Sequence, residues 1–536
     1  MEPNILTHVE LKELRHYHDW YRYLRKTKLR VLMVIDGGLT SINTVYEYMQ
    51  GKTLGCTQIS VKRAVYGYGG GNVVIDDTPG DNDPHYSNFK FTSQKANGQL
   101  ILNDFDVMFI FAIESSSTAL PDDQLAALHE WMNAGHGVFA TGDHSTLGQR
   151  LASKIPRVGS MRKWTTTDGV PPGSGEDRID TNQPDPTDAA QMAGTGLVPN
   201  TAQSDEYPQT ITALPFKKLY TSPFRRLHYP HEILCHPKYG VINVMPDHPH
   251  EGECEKPASI TLNAAVPFST TVANTDEYPE VGGNRERPRI IATGKNSHQY
   301  NLQKGEVKQY TFDMISAYDG HKANVGRVVV DSTWHHWFGM NVDGIKAAGG
   351  KNWAKIGRYF LNVAKYLAPK GLYKNRCTFD VLDAQFDYPF IEEYVYDFGR
   401  DSIYDIGRSF NASLVRRWGK CGVLKFVLQN ICVVRPWLCK LLEKELIPRI
   451  DIDPVCLSCP PHELLIDYVL GGIAIQTQEV RESLKMQFAG QDVKRSAIKV
   501  EELDELIQKG TEYGVNAFLE QLKADVAKTE KAWLSQ

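Results

Sequence analysis

The chain has 536 residues, of which 41% are hydrophobic and 23% are charged, and its formal net charge is −5. This length predicts two or three folded units, each with a sizeable hydrophobic core. The slightly acidic balance has no long block of one sign and argues against a nucleic-acid-binding protein, and the longest apolar run, residues 107–113, is far too short to span a membrane.

Apolar runs typical of buried parallel strands alternate with helical patterns up to about residue 370. The runs lie at residues 30–36, 57–62, 105–113, 137–140, 289–293 and 326–331. Between two of them, Leu125, Leu128 and Met132 mark one face of a helix. Strands and helices joined by short connections predict right-handed crossovers and a parallel sheet. We therefore predict an α/β fold, a flavodoxin-like three-layer sandwich with a mostly parallel sheet.

Two regions depart from this alternation. Residues 155–287 are rich in proline and glycine turns, which predicts a large irregular insertion over one edge of the sheet. After about residue 375 the patterns are helical, with few strand runs. The predicted domains are therefore an α/β core of residues 1–375, which contains the insertion, and a helical C-terminal domain of residues 376–536.

The strand at residues 137–140 runs into Thr-Gly-Asp143-His144, and Ser145 begins a helical pattern. This places an acid and an imidazole at the carboxyl edge of the sheet, the edge at which its parallel strands end. Open α/β sheets bind their ligands at this edge. The alternative is that Asp143 or Ser145 only caps the following helix.

The run at residues 326–331 ends in the same way, with Asp331 followed by His335 and His336. We expect the two strand ends to lie side by side and to form one polar site. The catalytic candidates are Asp143, His144, His335 and His336.

A third group of acids and imidazoles lies in the insertion, in the sequence Asp-His-Pro-His-Glu at residues 247–251. Neutral imidazole and carboxylate oxygen together suit zinc, iron or manganese, and a metal with an open position would turn bound water into a nucleophile. The candidate metal ligands are His144, Asp247, His248, His250 and His335. The alternatives are that residues 247–251 form a solvated loop and that His335 and His336 are a packed and a surface histidine.

Basic residues in or beside the insertion suggest an anionic substrate, since arginine clamps such groups through paired hydrogen bonds. The substrate-binding candidates are Arg157, Arg162, Arg178, Arg226 and His321. Surface ion pairs are the alternative. Because both ends of the insertion are anchored near Asp143 and Asp331, we expect it to form a lid over that edge, with a decoration on the far side of the sheet as the other possibility.

Nine cysteines spread over a long chain suggest reduced thiols rather than a disulfide framework. Cys456 and Cys459 resemble half a zinc site, whose other half would come from Cys432 or Cys439 at no standard spacing. The N-terminal segment is charged and has no apolar signal region, so the expected location is the cytoplasm.

The core resembles the class I glutamine amidotransferase-like superfamily and, within it, the trehalose-utilisation (ThuA-like) branch. The similarity lies in the strand at 105–113, the helix that follows it, the Gly-His-Gly-Val-Phe-Ala-Thr-Gly-Asp-His stretch at 135–144, and the strand at 326–331 leading to His335. It covers residues 28–155 and 285–370. Amidotransferases carry a catalytic cysteine at the sharp turn after the central strand, and Asp143 stands there in this chain. The resemblance therefore implies the fold but not a functional glutaminase.

These observations give two functional hypotheses. The first is a hydrolase-like enzyme, acting directly or through a divalent metal on a polar small molecule at the carboxyl edge. The second is a non-catalytic ligand-binding or scaffold protein, whose C-terminal helices engage a protein partner. Neither hypothesis involves nucleic acid or a transmembrane segment.

Overall fold

The structure, a computed structural model, describes most of the chain. The described residues are 27–54, 57–170, 198–199, 208–222, 225–246, 252–258, 277–296, 299–301, 305–307, 309–370, 372, 381, 384, 402–439, 442, 462–478, 480 and 500–534. The described part is an α/β protein with a large mixed sheet, mostly of parallel strands at its centre, and long C-terminal helices.

The main sheet has 11 strands. They are β1 (Thr27–Ile35), β2 (Thr53–Leu54), β3 (Thr57–Tyr66), β4 (Val74–Ile75), β5 (Tyr86–Phe89), β6 (Val107–Phe111), β7 (Gly137–Thr141), β8 (Thr212–Ala213), β9 (Arg289–Asn296), β10 (Tyr310–Tyr318) and β11 (Val328–Asp331). Their order is β8-β9-β10-β11-β7-β6-β1-β3-β5-β4, and β2 pairs with β3.

The helices of the described residues lie between and after these strands. They are α1 (Asn43–Met49), α2 (Asp122–Asn133), α3 (Gln149–Ala152), α4 (Gly339–Ala348), α5 (Gly350–Leu367), α6 (Ile403–Val434), α7 (His462–Gln476) and α8 (Val500–Leu534). Short 3-10 helices cover Leu39–Ile42, Ile101–Asp104, Gly159–Met161, Thr166–Asp168, Glu232–Leu234, Gly320–Ala323 and Trp334–His336.

The centre of the sheet confirms the predicted strand neighbours. Strands β11, β7, β6, β1 and β3 lie side by side and run parallel. In register, Met33 pairs with Phe109 and Phe109 pairs with Phe139. The carboxyl ends of these five strands therefore meet at one edge, the carboxyl edge, and their starts meet at the opposite, amino edge.

Both faces of the sheet are covered, which explains why the central strands are apolar throughout. Successive side chains of a strand point to opposite faces, so Met33 of β1 packs into one hydrophobic cluster and Val34 into the other. Helices α1 and α5 contribute to the first cluster, and α2 contributes Leu125, Leu128 and Met132 to the second. The predicted apolar face of α2 is therefore confirmed.

One long strand of the sheet was not predicted from the sequence. Strand β10 lies antiparallel between β9 and β11. Its first half is polar and partly exposed, with Tyr310 46% exposed, while Phe312 and Met314 are buried. The sheet is consequently mixed on this side, whereas the apolar-run criterion finds only strands that are buried on both faces.

The insertion predicted at residues 155–287 consists, in its described parts, mainly of short strands. One of them, β8, is an edge strand of the main sheet. The others are Val198–Pro199, Gln209–Thr210, Lys217–Ser222, Arg225–Tyr229, Cys235–His236, Gly240–Val241, Val244–Met245, Glu280–Val281 and Asn284–Arg285. Two further short strands, Gln299–Asn301 and Gly305–Val307, follow between β9 and β10.

Helices α6, α7 and α8 pack around a hydrophobic cluster of their own. At the end of α6, Cys432 and Cys439 form a disulfide. The expectation of reduced thiols is therefore wrong for this pair, and neither sulfur is left as a free ligand for a zinc site with Cys456 and Cys459, which lie outside the described residues. None of the described helices combines the length and the apolarity that crossing a membrane requires.

Candidate functional site

The loop after β7 is a tight turn that carries Asp143 and His144. The main-chain N–H of Asp143 donates to Leu147 O at 3.1 Å, and that of Leu147 donates to His144 O at 3.1 Å. Glycine is required at position 142, because a Cβ there would lie 2.7 Å from Leu147 O and 2.9 Å from the Trp164 ring. Helix α3 begins only after this loop and has no side-chain cap, so a capping role for Asp143 is excluded.

The Asp143 carboxylate is the centre of a polar cluster. Its Oδ2 lies 2.7 Å from Nδ1 of His144 and 3.6 Å from Nε2 of His335. Its Oδ1 accepts a hydrogen bond from Thr333 Oγ1 at 2.7 Å. The side chain of Asp143 is fully buried, whereas that of His144 is 20% exposed. The structure therefore brings together three of the four predicted catalytic residues at the carboxyl edge.

His335 is held from both sides. Thr333 caps the 3-10 turn that carries His335, since its Oγ1 accepts the main-chain N–H of His335 at 3.0 Å. The ring Nδ1 lies 2.5 Å from Oδ1 of Asn341 in α4, and Nε2 faces Asp143. Both ring nitrogens thus face side-chain oxygens, which fixes the orientation of the ring beside the carboxylate. We call Asp143, His144, Thr333, His335 and Asn341 the Asp143 cluster.

Arg162 lies beside this cluster but has a different role from the one predicted. Its buried guanidinium donates to main-chain carbonyls, to Asp143 O at 2.6 Å, to Ser332 O at 2.8 Å and to Lys163 O at 2.6 Å. It ties the loops after β7 and β11 together. The prediction that Arg162 binds substrate is corrected, because its donors are turned inward onto these carbonyls.

His336 is fully buried and lies between Asp331 and Gln209. Its Nδ1 lies 2.7 Å from Asp331 Oδ1, and neither side chain is exposed. Asp331 Oδ2 accepts hydrogen bonds from Trp337 Nε1 at 3.1 Å and from Tyr359 OH at 2.8 Å, and burial raises the pKa of Tyr359 well above its usual value. Asp331 and His336 therefore form a buried structural network, and the assignment of His336 as catalytic is corrected.

Arg157 and His321 lie at the amino edge, at the opposite ends of the strands from Asp143. Arg157 is fully buried and donates from Nη2 to Asn133 Oδ1, at the last residue of α2, at 2.8 Å. His321 belongs to the 3-10 turn that precedes β11. Their prediction as ligands of the same substrate is therefore wrong, because they flank the starts of the strands rather than their ends.

The remaining candidates lie outside the described residues. They are Arg178, Asp247, His248, His250 and the side chain of Arg226. Within the part of the chain that the structure describes, no three His, Cys, Asp or Glu side chains are arranged to hold a metal ion. In the Asp143 cluster, both imidazoles direct a ring nitrogen at the carboxylate itself.

A second acidic residue at the carboxyl edge was not among the predicted site residues. Asp36 directly follows β1, and its carboxylate accepts the main-chain N–H of Ile113 at 2.6 Å and the hydroxyl of Tyr68 at 2.7 Å. Burial raises the pKa of Asp36. The Asp-Gly-Gly ending of the first apolar run was a signal for it, since the carboxyl ends of neighbouring parallel strands meet at one edge.

The path of the chain makes this edge a natural crevice. From β1 the chain passes through α1, on one face of the sheet, to the neighbouring strand β3. On the other side of β1, the chain passes from β6 through α2, on the opposite face, to β7. The loops after β1 and β6 therefore turn toward opposite faces of the sheet. Open α/β sheets bind their ligands in the crevice between two such loops. Asp36 lies at this point, and Asp143 lies two strands away.

Besides Arg162 and Trp164, residues 252–254 of the insertion pack beside the Asp143 cluster. Main-chain hydrogen bonds join Lys163 N to Glu253 O at 3.0 Å and Cys254 N to Asp313 O at 2.8 Å. A Cβ at Gly252 would lie 2.0 Å from Arg162 Nη2 and 2.5 Å from Ser332 O. This segment therefore packs directly on the Arg162 clamp, by which we mean Arg162 and the carbonyls to which it donates. The predicted lid includes residues 247–250, which lie outside the described residues, and stays a prediction.

No protein-family model matches the chain, and no curated protein or solved structure is significantly similar to it.

Proposed function

We propose that the chain is a hydrolase-like enzyme in which Asp143 and His144 activate water against a polar small molecule at the carboxyl edge. The observation that carries this proposal is the 2.7 Å contact between Asp143 Oδ2 and His144 Nδ1. The carboxylate is buried and the imidazole is partly exposed, so the imidazole is the member of the pair that meets a substrate.

The chemistry follows from the way a carboxylate orients an imidazole. A carboxylate bound to Nδ1–H keeps the proton on that nitrogen and leaves Nε2 to accept a proton from water. The buried charge of Asp143 then stabilises the imidazolium that forms on His144. A positioned general base of this kind contributes about 10²–10⁴-fold to a rate. His335, held by Asn341, fixes the carboxylate from its other side.

A cysteine nucleophile is not part of the proposal. The free cysteines among the described residues are Cys235 and Cys254. Burial raises the pKa of the Cys254 thiol well above its usual value, which keeps such a thiol unreactive. Water is therefore the proposed nucleophile, and glutaminase chemistry is not proposed.

We further propose that the sheet is of the flavodoxin-like type and that the core is related to the class I glutamine amidotransferase-like superfamily, in its ThuA-like branch. Three features support this relationship: the parallel strands at the centre of the sheet, the helices on both faces, and the position of Asp143 at the turn where amidotransferases carry their cysteine. Such a relationship says little about the reaction, because one fold hosts many activities.

The metal-assisted form of the proposal needs ligands from the insertion. In that form His144 and His335 would share zinc, iron or manganese with Asp247, His248 and His250, and the metal would supply a bound water of lowered pKa. Metal analysis of the purified protein tests it. Stoichiometric metal that His248→Ala removes would support this form, whereas hydrolysis by metal-free protein would refute it.

The second candidate function, a non-catalytic ligand-binding or scaffold protein, is favoured by one observation. Val433 and Trp437, near the disulfide at the end of α6, are 60% and 55% exposed. Contiguous exposed apolar patches are typical of contact surfaces, and we propose that these two side chains, four positions apart in the chain, belong to one such patch. If a protein partner covers them, Trp437→Ser should abolish that association and leave ligand binding by the core unchanged.

A screen of substrate classes tests the hydrolase. Esters, amides, glycosides and phosphate esters are offered to the wild type, Asp143→Asn, His144→Gln and the control variant His321→Gln, whose residue lies at the amino edge. We expect hydrolysis of one class, reduced at least about 100-fold in the first two variants and unchanged in the control. Equal rates in all four proteins would reject the site, and absence of hydrolysis would favour the scaffold.

A further inference from the structure

An arginine that was not among the predicted site residues lies over the crevice beside the Asp143 cluster. Arg150 follows the Asp143 loop, and its main-chain N–H donates to Glu114 O, just beyond β6, at 3.4 Å. Its guanidinium carbon lies 3.4 Å from the centre of the Tyr68 ring, two residues beyond β3. The side chain therefore extends along the carboxyl edge from β6 across the end of β1 to β3.

The guanidinium of Arg150 is fixed in place but not neutralised by contact. Its close contact with the Tyr68 ring holds it in place, and Tyr68 is itself anchored by its hydrogen bond to Asp36. Nε of Arg150 is buried and has no hydrogen-bond partner among the described residues. No carboxylate in the described part of the chain forms an ion pair with this side chain. A buried guanidinium without an acceptor is costly, and an anion bound by this side chain would supply acceptors for its donors.

Of the arginines predicted from the sequence as anion ligands, the two whose side chains are described have different roles. Arg162 is turned onto main-chain carbonyls, and Arg157 lies at the amino edge. Arg150 is thus the described arginine that reaches over the crevice while keeping hydrogen-bond donors for a ligand.

We propose that Arg150 binds an anionic group of the substrate, a carboxylate or a phosphate, in the crevice between the ends of β1 and β6. That the bound anion is part of a substrate rests on the proposed function. The crevice between the ends of β1 and β6 lies one to two strand spacings from the end of β7, about 5–10 Å. The substrate is therefore an anionic molecule whose reacting bond lies roughly 5–10 Å from its charged end.

Calorimetric titration with inorganic phosphate and, separately, with acetate tests the inference without a known substrate. The proteins are the wild type, Arg150→Gln and Arg289→Gln. Arg289 is the control, because its guanidinium also lies near an aromatic ring, 5.5 Å from the centre of Phe216, but at the start of β9 and so at the amino edge. We expect the wild type and Arg289→Gln to bind one of the two probes equally, and Arg150→Gln to bind it at least about tenfold more weakly.

Two variants of Tyr68 test whether its ring positions the Arg150 guanidinium or whether any change at this residue disturbs the site. Tyr68→Phe keeps the ring and should bind within about threefold of the wild type, whereas Tyr68→Leu removes the platform and should weaken binding about as much as Arg150→Gln. Unfolding curves check that each variant is folded, and Arg150→Lys, which keeps the charge but not the planar fork, replaces Arg150→Gln if that protein does not fold. Stronger binding of phosphate than of acetate identifies a phosphate ligand, and the reverse identifies a carboxylate.

Equal binding by the wild type and Arg150→Gln would overturn the inference, as would the absence of binding of both probes to the wild type. Asp143→Asn distinguishes this inference from the proposed hydrolysis. It should bind the probe like the wild type, so Arg150-dependent binding in a protein that hydrolyses nothing would reject the hydrolase and leave the anion site standing.

Discussion

Thr333 Oγ1 donates to Asp143 Oδ1 at 2.7 Å and thereby joins two loops that lie 190 residues apart in the chain. The two loops follow β7 and β11, which are neighbouring parallel strands. The same hydroxyl accepts the main-chain N–H of His335. One threonine therefore sets the positions of both the acid and the second imidazole of the Asp143 cluster.

The close packing around Gly142 makes this position intolerant of a side chain. Gly142→Ala would press a methyl group against Leu147 O and the Trp164 ring, and we expect it to lower the free energy of unfolding by about 1–3 kcal/mol. Urea denaturation measures the change. Gly70→Ala is the control, since a Cβ there meets nothing within 4 Å, and it should change stability by less than about 0.5 kcal/mol. Equal effects of the two variants would contradict the packing argument.

The Arg162 clamp should depend on the geometry of the guanidinium and not on charge alone. Lysine has one nitrogen and cannot replace bonds to three carbonyls, so Arg162→Lys should lower the free energy of unfolding by about 2–5 kcal/mol. Arg289→Lys, at an exposed arginine, serves as the control and should be nearly neutral. If Arg162→Lys unfolds at the same denaturant concentration as the wild type, the clamp does not hold the two loops together.

The neighbouring histidines 335 and 336 should respond differently to substitution. His336→Phe removes the partner of the buried Asp331 carboxylate and should cost about 3–5 kcal/mol of stability, while the folded fraction keeps its activity. His335→Asn should lower the hydrolysis rate with a smaller loss of stability, because His335 is part of the Asp143 cluster. Hydrolysis rates and unfolding curves together give the activity per folded molecule for each variant. Equal losses of this activity in both variants would show that the two histidines do not have different roles.

Two histidines remote from the site should make the fold sensitive to acid. Burial lowers the pKa of His85 to about 4 and that of His129 to about 3, against a usual value of 6.5. Between about pH 6.5 and 4 the unfolded chain therefore binds more protons than the folded one, so stability is complete above pH 6.5 and is lost as the pH falls.

Replacing both residues by glutamine should flatten this dependence. Each histidine contributes up to about 1.4 kcal/mol per pH unit within that window. Urea unfolding at several pH values between 7.5 and 4.5 measures the slope for the wild type and the double variant. Identical slopes would show that these imidazoles are not held neutral in the folded protein.

The proximity of Asp143 and His335 could be predicted because it follows from strand order. Two buried strands, each ending in an acid and a histidine, must bring those residues together if the strands are parallel neighbours. Strand β10 was missed, because only part of its length is buried and a search for continuous apolar runs passes over it. The alternation of buried Phe312 and Met314 with more exposed residues was the signal that remained in the sequence.

The roles of the arginines could not be predicted. An arginine that donates to main-chain carbonyls, as Arg162 does, has the same sequence context as one that binds a ligand. Arg150 was overlooked because its significance comes from Tyr68, which is 82 positions earlier in the chain and is brought beside it only by the sheet. Contacts between side chains from distant loops are fixed by tertiary packing and leave no local pattern.

Nitrogen NMR of the His144 ring tests whether Asp143 orients His144 as a base. With the ring neutral, the wild type should carry a proton on Nδ1 and none on Nε2, and Asp143→Asn should abolish this preference. A wild-type ring protonated on Nε2, with the same tautomer in Asp143→Asn, would show that Asp143 does not orient it.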